Sequence, residues 1–451
     1  MADEQAPGIL ALPELNGKIE SGEIDTVLAV VPDLFGRLLG RHIPGIHFLE
    51  ETTKQGFWLP GALFVPQLGT GSRPGAAVTS GGDIRCRPLL ETLRLAPWLD
   101  RTALVFCQSL EATTGQPLAV APRSLLQTQL DRLAEAGYRA QAGASLDFYI
   151  FNEAPGSLRA RAYQGPLPAE AFGGPADSLP AGRLEPLLAN ARRYLLRGGV
   201  AVAHSQGTAV PGQYSLGLAP AGVMALADGQ ALAKQCLKLL APQYGQAVSF
   251  MAQVTAEMAG SVAALRLSLW SPAGRRNRFG GEEVLGPGRA SDECRWFLGG
   301  WLRHLPALMP FFAPTVNSYK RYVLGDGWRV AWSGRGYPAG VRVVEGPGRG
   351  AALESWLAGA DVNLYLAYAA WLAAGLDGLA HKTEPPDLLA EPVLLPTSLA
   401  MAVDALAGSD FARQAFGDAV VDFYVAVFRQ EQAAYELAVT DWERGRYFEQ
   451  I

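Results

Sequence analysis

The sequence predicts an α+β protein, with a small strand-rich N-terminal domain over residues 1–112 and a larger domain of antiparallel strands and helices over 113–451. Three observations carry this. Short segments alternate apolar and polar residues with period two, longer ones repeat near 3.6, and the two kinds are mixed after residue 124. In the first 110 residues the runs TVLAVVPDLFG, ALFVPQL and TALVFCQ read as strands broken by Gly and Pro, and GTGSRPGAAVTSGGD reads as a loop.

The larger region follows element by element. SLLQTQLDRLAEAG (124–137) has helical spacing and a closing glycine, and ASLDFYIFN then alternates as a strand. The pair returns as the helical VMALADGQALAKQCLKLLAPQYG followed by AVSFMAQV. In MAGSVAALRLSLW (258–270) Ala263, Leu265, Leu267 and Leu269 share one face, and Ala264, Arg266, Ser268 and Trp270 the other. From Asp292 helices dominate, through ECRWFLGGWLRHLPALMPFF, NLYLAYAAWLAAGLDGL and the amphipathic 396–451. No repeat of 20–50 residues is present.

Composition excludes several classes. With 49% hydrophobic and 18% charged residues the chain has ample material for a core. A net charge of −5 without a basic tract argues against nucleic acid. No apolar run reaches the roughly 18–20 residues that span a bilayer, so no membrane is expected. MADEQAPGILALPEL lacks the basic and apolar regions of a secretory signal. Cys86, Cys107, Cys236 and Cys294 form no CxxC and read as buried thiols, which makes the cytoplasm the expected compartment.

Common catalytic motifs are missing. GxxxxGK[ST] does not occur, and the glycines of GTGSRPG and EGPGRG lack a following helix with a suitable lysine. The five histidines include no HExxH and no i, i+4 pair, which argues against zinc. His204-Ser205 lies in no GxSxG, and neighbours on an extended chain point apart. Arg266, taken alone, reads as a solvated edge residue.

One segment is more specific. Ala313-Pro-Thr-Val-Asn-Ser-Tyr-Lys-Arg321, preceded by FLGGWLRHLPAL, closely resembles the signature of the glutamine synthetase family. VVPDLFGRLLGRHIPG, GGDIRCRPLLETLRLAPW, GQPLAVAPRSLL, VPGQY, QAVSFMAQV, GSVAALRLSLW, DVNLYLAYAAWLAAGLDGL and LPTSL follow that family's landmarks in order, and VTDWERGRYFEQI resembles the branch that joins glutamate to amines or polyamines. The resemblance implies an N-terminal β-grasp domain and a catalytic-type domain on an antiparallel sheet. It implies hexameric rings, usually paired into dodecamers, with each active site between neighbouring subunits. The implied reaction phosphorylates the γ-carboxylate of glutamate with ATP before an amine attacks. It uses Mg²⁺ or Mn²⁺ held by oxygen ligands.

The same resemblance implies a depleted metal cage. Relatives read G-x-E-x-E-F where this chain has Gly143-Ala-Ser-Leu-Asp-Phe148, so Ser145 replaces one ligand and Asp147 stands for another. In HSQGTAVPGQYS, Gln206 or Gly207 and then Ser215 occupy the places of two further glutamates. Ala264 and Arg266 stand where relatives carry a metal-binding and a phosphate-contacting histidine. Glu354 survives, whereas Trp356 replaces the glutamate-binding arginine and fills its space. Tyr337 takes the place of a phosphate-contacting arginine, Arg342 remains, and Gln253 replaces a lysine. The flap glutamate corresponds to Asp326 or Gly327.

Asp147 and Glu354, opposed by Arg266, leave one net negative charge for two divalent cations. A like charge 4 Å from a cation costs about 4 kcal/mol at an effective dielectric of 20. Weak metal binding or none is therefore expected; the competing reading makes Arg266 a substitute cation that pairs with Asp147 and Glu354 in a preformed cluster. Asn317, Tyr319 and Arg321 either keep a glutamate or nucleotide pocket or pack beneath the sheet. Gly260 marks either close substrate approach or a bulge. Three functions follow: a ring-forming pseudoenzyme that binds an amine, amino acid or nucleotide or joins an active relative; an active γ-glutamyl–amine ligase with a rearranged cage using Asp147 and Glu354 with Asp326, Glu257 or Glu345; or a purely structural ring or filament subunit.

Overall fold

A computed structural model describes residues 7–61, 82–170, 184–285, 288–324, 329–330, 340–346, 350–386 and 393–451. ALFVPQL and nearly all of the glycine-rich tract after it lie outside the described residues. The first sheet contains β1 (Thr26–Pro32), β2 (Leu38–Pro44), β3 (Phe57–Pro60), β4 (Asp83–Pro88), β5 (Arg94–Leu95) and β6 (Thr102–Leu110). Its order is β2-β1-β6-β4-β3 with β5 on β6, and β1 runs parallel to β6.

The second sheet is wholly antiparallel in its pairings. It is built from β7 (Arg139–Phe151), β8 (Val202–Gly207), β9 (Gln213–Gly222), β10 (Ala247–Ser249) and β11 (Ala263–Trp270). Two short ribbons, β12 (Glu283–Leu285) with β13 (Gly288–Ala290) and β14 (Arg329–Val330) with β17 (Val393–Leu394), lie apart from it. β15 (Val341–Gly346) and β16 (Gly350–Ser355) complete the order β15-β16-β11-β7-β9-β8, with β10 on β7. The α+β expectation holds. AVSFMAQV is a strand only over its first part, because the chain leaves the sheet after Ser249.

β11 has the two faces its alternation predicts. Ala263, Leu265, Leu267 and Leu269 are buried, while Arg266 is exposed; Ser268 on the polar face is nevertheless buried. The helix Leu364–His381 is apolar almost all round, as a fully buried helix must be. Its Tyr368 hydroxyl reaches the carbonyls of Gly143 and Arg266 at 2.8 and 3.2 Å, fixing β7 and β11 from beneath. The helix Asp292–Phe312 crosses it so closely that a Cβ on Gly300 would lie 2.4 Å from the Ala374 carbonyl. Ser291 caps this helix by accepting from the Cys294 amide. Among the described residues no helix is long and apolar enough to cross a membrane.

Candidate active site

The outward face of the second sheet brings most of the matched positions together through strand register, since directly opposed residues share a face. Arg342, Glu354 and Arg266 lie directly opposite one another across β15, β16 and β11, and Gly143 of β7 continues the row. The next row is Ala264, Ser145, Gly217 and His204; beyond it lie Asp147, Ser215 and Gln206. Gly207 is paired with Tyr214 on the alternate face, so register favours Gln206 over Gly207 at the site.

Glu354 is 2% exposed and its two carboxylate oxygens are divided between two guanidiniums. Arg266 Nε donates to Oε2, and Arg342 donates to Oε1 from Nη2 at 2.7 Å and from Nε at 3.1 Å. Arg342 also lies 4.1 Å from the centre of the Trp356 ring, a cation–π contact. Trp356 therefore seats a cation. One acid against two arginines leaves this row with one net positive charge.

Elsewhere on the face neutral groups satisfy one another. The hydroxyls of Ser145 and Ser215 are hydrogen-bonded at 2.7 Å, and Ala264 supplies no donor atom. Asp147 accepts from the Val262 amide at 3.4 Å, not from Arg266, so the substitute cation pairs with only one of its two expected partners. Burial raises the Asp147 pKa, against lowering by Ser215, the Val262 amide and the Arg321 charge. A divalent cation needs several oxygen ligands free to turn toward it. Here Glu354 is already occupied and the serines hold each other. Among the described residues no three His, Cys, Asp or Glu side chains are grouped to hold an ion. The described residues of this face do not fit a pair of divalent cations.

The signature segment makes packing contacts, and its Thr315 and Asn317 also line a cavity with Lys234 and Asp361. Asn317 clamps the Gln253 backbone, donating to its carbonyl at 2.7 Å and accepting from its amide at 3.0 Å. Gln253 in turn donates to the carbonyls of Thr255 and Met258 at 2.6 and 2.5 Å. Tyr319 is buried against Tyr322. Arg321 donates to the Leu357 carbonyl and lies 4.6 Å from the Tyr322 ring centre. Gly260 makes room for it: a Cβ there would sit 2.4 Å from Arg321 Cγ. Close packing of a protein side chain accounts for this glycine without substrate. Asp326, Gly327 and Tyr337 lie outside the described residues, and Glu257 is exposed.

His204 is a residue that the sequence weighs only beside Ser205 and does not place on this face. Its ring covers Gly217, where a Cβ would be 2.1 Å from Cε1, and it thus borders the Ser145 row. Motif searches pair His204 with Ser205, its neighbour in sequence. The informative signal is instead its partner across β8 and β9.

The sheet, its helical backing and the ordered site rows define a glutamine synthetase catalytic domain, and the family "Glutamine synthetase, catalytic domain" matches residues 119–447. The chain belongs to the glutamine synthetase family. Within it, the chain is 35% identical to the gamma-glutamylethanolamide synthetase GlnA4 of Streptomyces coelicolor, covering 100% of this chain and 98% of that protein. It is 28% identical to the glutamate–isopropylamine ligase of a Pseudomonas species, over 100% of both. The solved structure of GmaS without ligand superposes with a TM-score of 0.83 at 24% identity, covering 97% of this chain and 100% of that one. These similarities place the chain beside the amine-ligase branch of the family.

Proposed function

We propose that this protein is a ring-forming glutamine synthetase relative that no longer carries out metal-dependent ligation of glutamate to an amine. On this reading residues 1–112 form the N-terminal domain and 113–451 the catalytic-type domain. The subunits close into hexameric rings, paired as a dodecamer, in the cytoplasm. The site takes a small amine or amino acid, or an active relative joins the ring. The observation that carries the proposal is Glu354, the acid retained at a ligand position, held between Arg266 and Arg342. A carboxylate so paired is stabilised in place and offers little to a second cation.

A second reading, an active γ-glutamyl–amine ligase with a rearranged cage and bound ATP and Mg²⁺ or Mn²⁺, is favoured by the full-length similarity to the ethanolamide synthetase. Phosphate release decides between them. Purified protein with glutamate, ATP, Mg²⁺ or Mn²⁺ and a panel of amines is expected to release no phosphate above background. Metal-dependent release at ordinary enzymatic rates, about 1 per second or faster, establishes the second reading.

A further inference from the structure

We infer that the Arg342–Glu354–Arg266 row is a metal-independent oxyanion site, built to take the phosphate or carboxylate of a small ligand. The inference rests on the proposed loss of the cation cage and names what the altered face binds instead.

Arg266 spends only Nε on Glu354; its Nη1 and Nη2 have no hydrogen-bond partner among the described residues, and its side chain is 55% exposed. Those outer N–H groups form the planar fork that matches a carboxylate or phosphate edge. Arg342 is already oriented, held on one side by Glu354 and on the other by the Trp356 ring. Two preset guanidiniums lower the ordering cost of binding. Among the described residues their one acidic partner, Glu354, is buried beneath them, so the excess positive charge lies outward.

The floor beside Arg266 is low. Gly143 stands directly opposite, and even a Cβ there would meet nothing nearer than Arg266 Cβ at 3.8 Å and Pro220 Cγ at 3.9 Å. Ala264, on the same face of β11, adds little height. Among the described residues an anion reaches the outer N–H groups of Arg266 over Gly143 and Ala264, and Arg342, whose Nε and Nη2 are committed to Glu354, adds charge beside it. The charge that a divalent cation brings from solution is here part of the chain. Binding is therefore independent of added metal.

Calorimetric titration of the full chain with inorganic phosphate, ADP and glutamate, each in EDTA and in Mg²⁺, tests this. At least one is expected to bind equally well in both, more weakly as salt rises. Comparison of the three titrations assigns the oxyanion to a free phosphate, a nucleotide or an amino acid. Arg266→Gln is expected to weaken binding about tenfold or more, and Arg266→Lys by less, because a point charge replaces the fork. Thermal midpoints of the two variants verify folding, since Arg342 still donates twice to Glu354 Oε1. Binding only with Mg²⁺, binding unchanged in Arg266→Gln, or binding of none of the three overturns the inference. Phosphate release in the ligase assay alongside metal-free binding overturns the proposed loss of ligation and leaves this site standing. No release and no anion binding does the reverse.

Discussion

Two clusters in this molecule have the same parts, one carboxylate and two arginines, and opposite surroundings. In the first, Asp228 of the helix Val223–Leu240 takes a forked pair of hydrogen bonds from Arg123 at 3.2 and 3.1 Å and one from the Tyr365 hydroxyl at 2.6 Å. Arg94, close enough to feel the Asp228 charge, is 8% exposed, and the Arg123 side chain 12%. These residues join β5, the helices Pro122–Glu135 and Val223–Leu240, and the start of Leu364–His381. In the second, Glu354 is equally buried, but Arg266 opens to solvent. A sealed cluster has all its work inside the fold. An open one retains donors that the fold does not use.

The largest expected effect follows from closing off the first cluster's counter-charge. Asp228→Asn leaves Arg123 buried without its acid, and breaking such a pair costs about 3–5 kcal/mol. Chemical denaturation at fixed pH is expected to show that loss, and added phosphate is expected not to restore it, since no anion reaches the site. Glu354→Gln is expected to cost less, about 1–3 kcal/mol, because Arg266 is already partly hydrated. Here phosphate is expected to recover part of the loss by binding between two guanidiniums left without an acid. Equal losses in the two variants, or equal rescue, would erase the distinction between sealed and open.

The sequence made one of these clusters partly legible and the other hardly at all. Alternation in GSVAALRLSLW placed Arg266 opposite the buried leucines, and the family resemblance brought Ser145, Asp147, Ser215, Ala264 and Glu354 to one site. Register confirms that all these lie on one face. The pairing of Arg342 with Glu354 was not legible, because the alternation within β15 and within β16 does not specify how the two strands align. The clamp of Asn317 on Gln253 joins residues 64 apart, and the fit of Gly260 around Arg321 joins residues 61 apart; neither spacing belongs to a helix or strand period. For both residues the sequence left a pocket role and a structural role open; the packing contacts are seen here, and Asn317 also lines a cavity with Lys234 and Asp361. The helix Asp292–Phe312 runs through Pro306 and Pro310, where propensity alone calls for a break. Packing against the helix Leu364–His381 outweighs that local preference.

The smallest expected effect separates two roles for Trp356. If the ring only fills space, a leucine of good packing serves nearly as well as an aromatic. A cation seat requires a π face. Arg342 stands 4.1 Å from the ring centre, and a contact of this kind contributes about 0.5–1 kcal/mol where solvent has access. Trp356→Leu is therefore expected to lower stability by that amount and to weaken phosphate binding slightly, because Arg342 loses one of its two restraints. Trp356→Phe keeps a face of weaker quadrupole and is expected to fall between the two. Denaturation and phosphate titration of both variants provide the measurement. Phe and Leu behaving alike would assign Trp356 to space filling, and the open cluster would then depend on Glu354 alone to orient its second arginine.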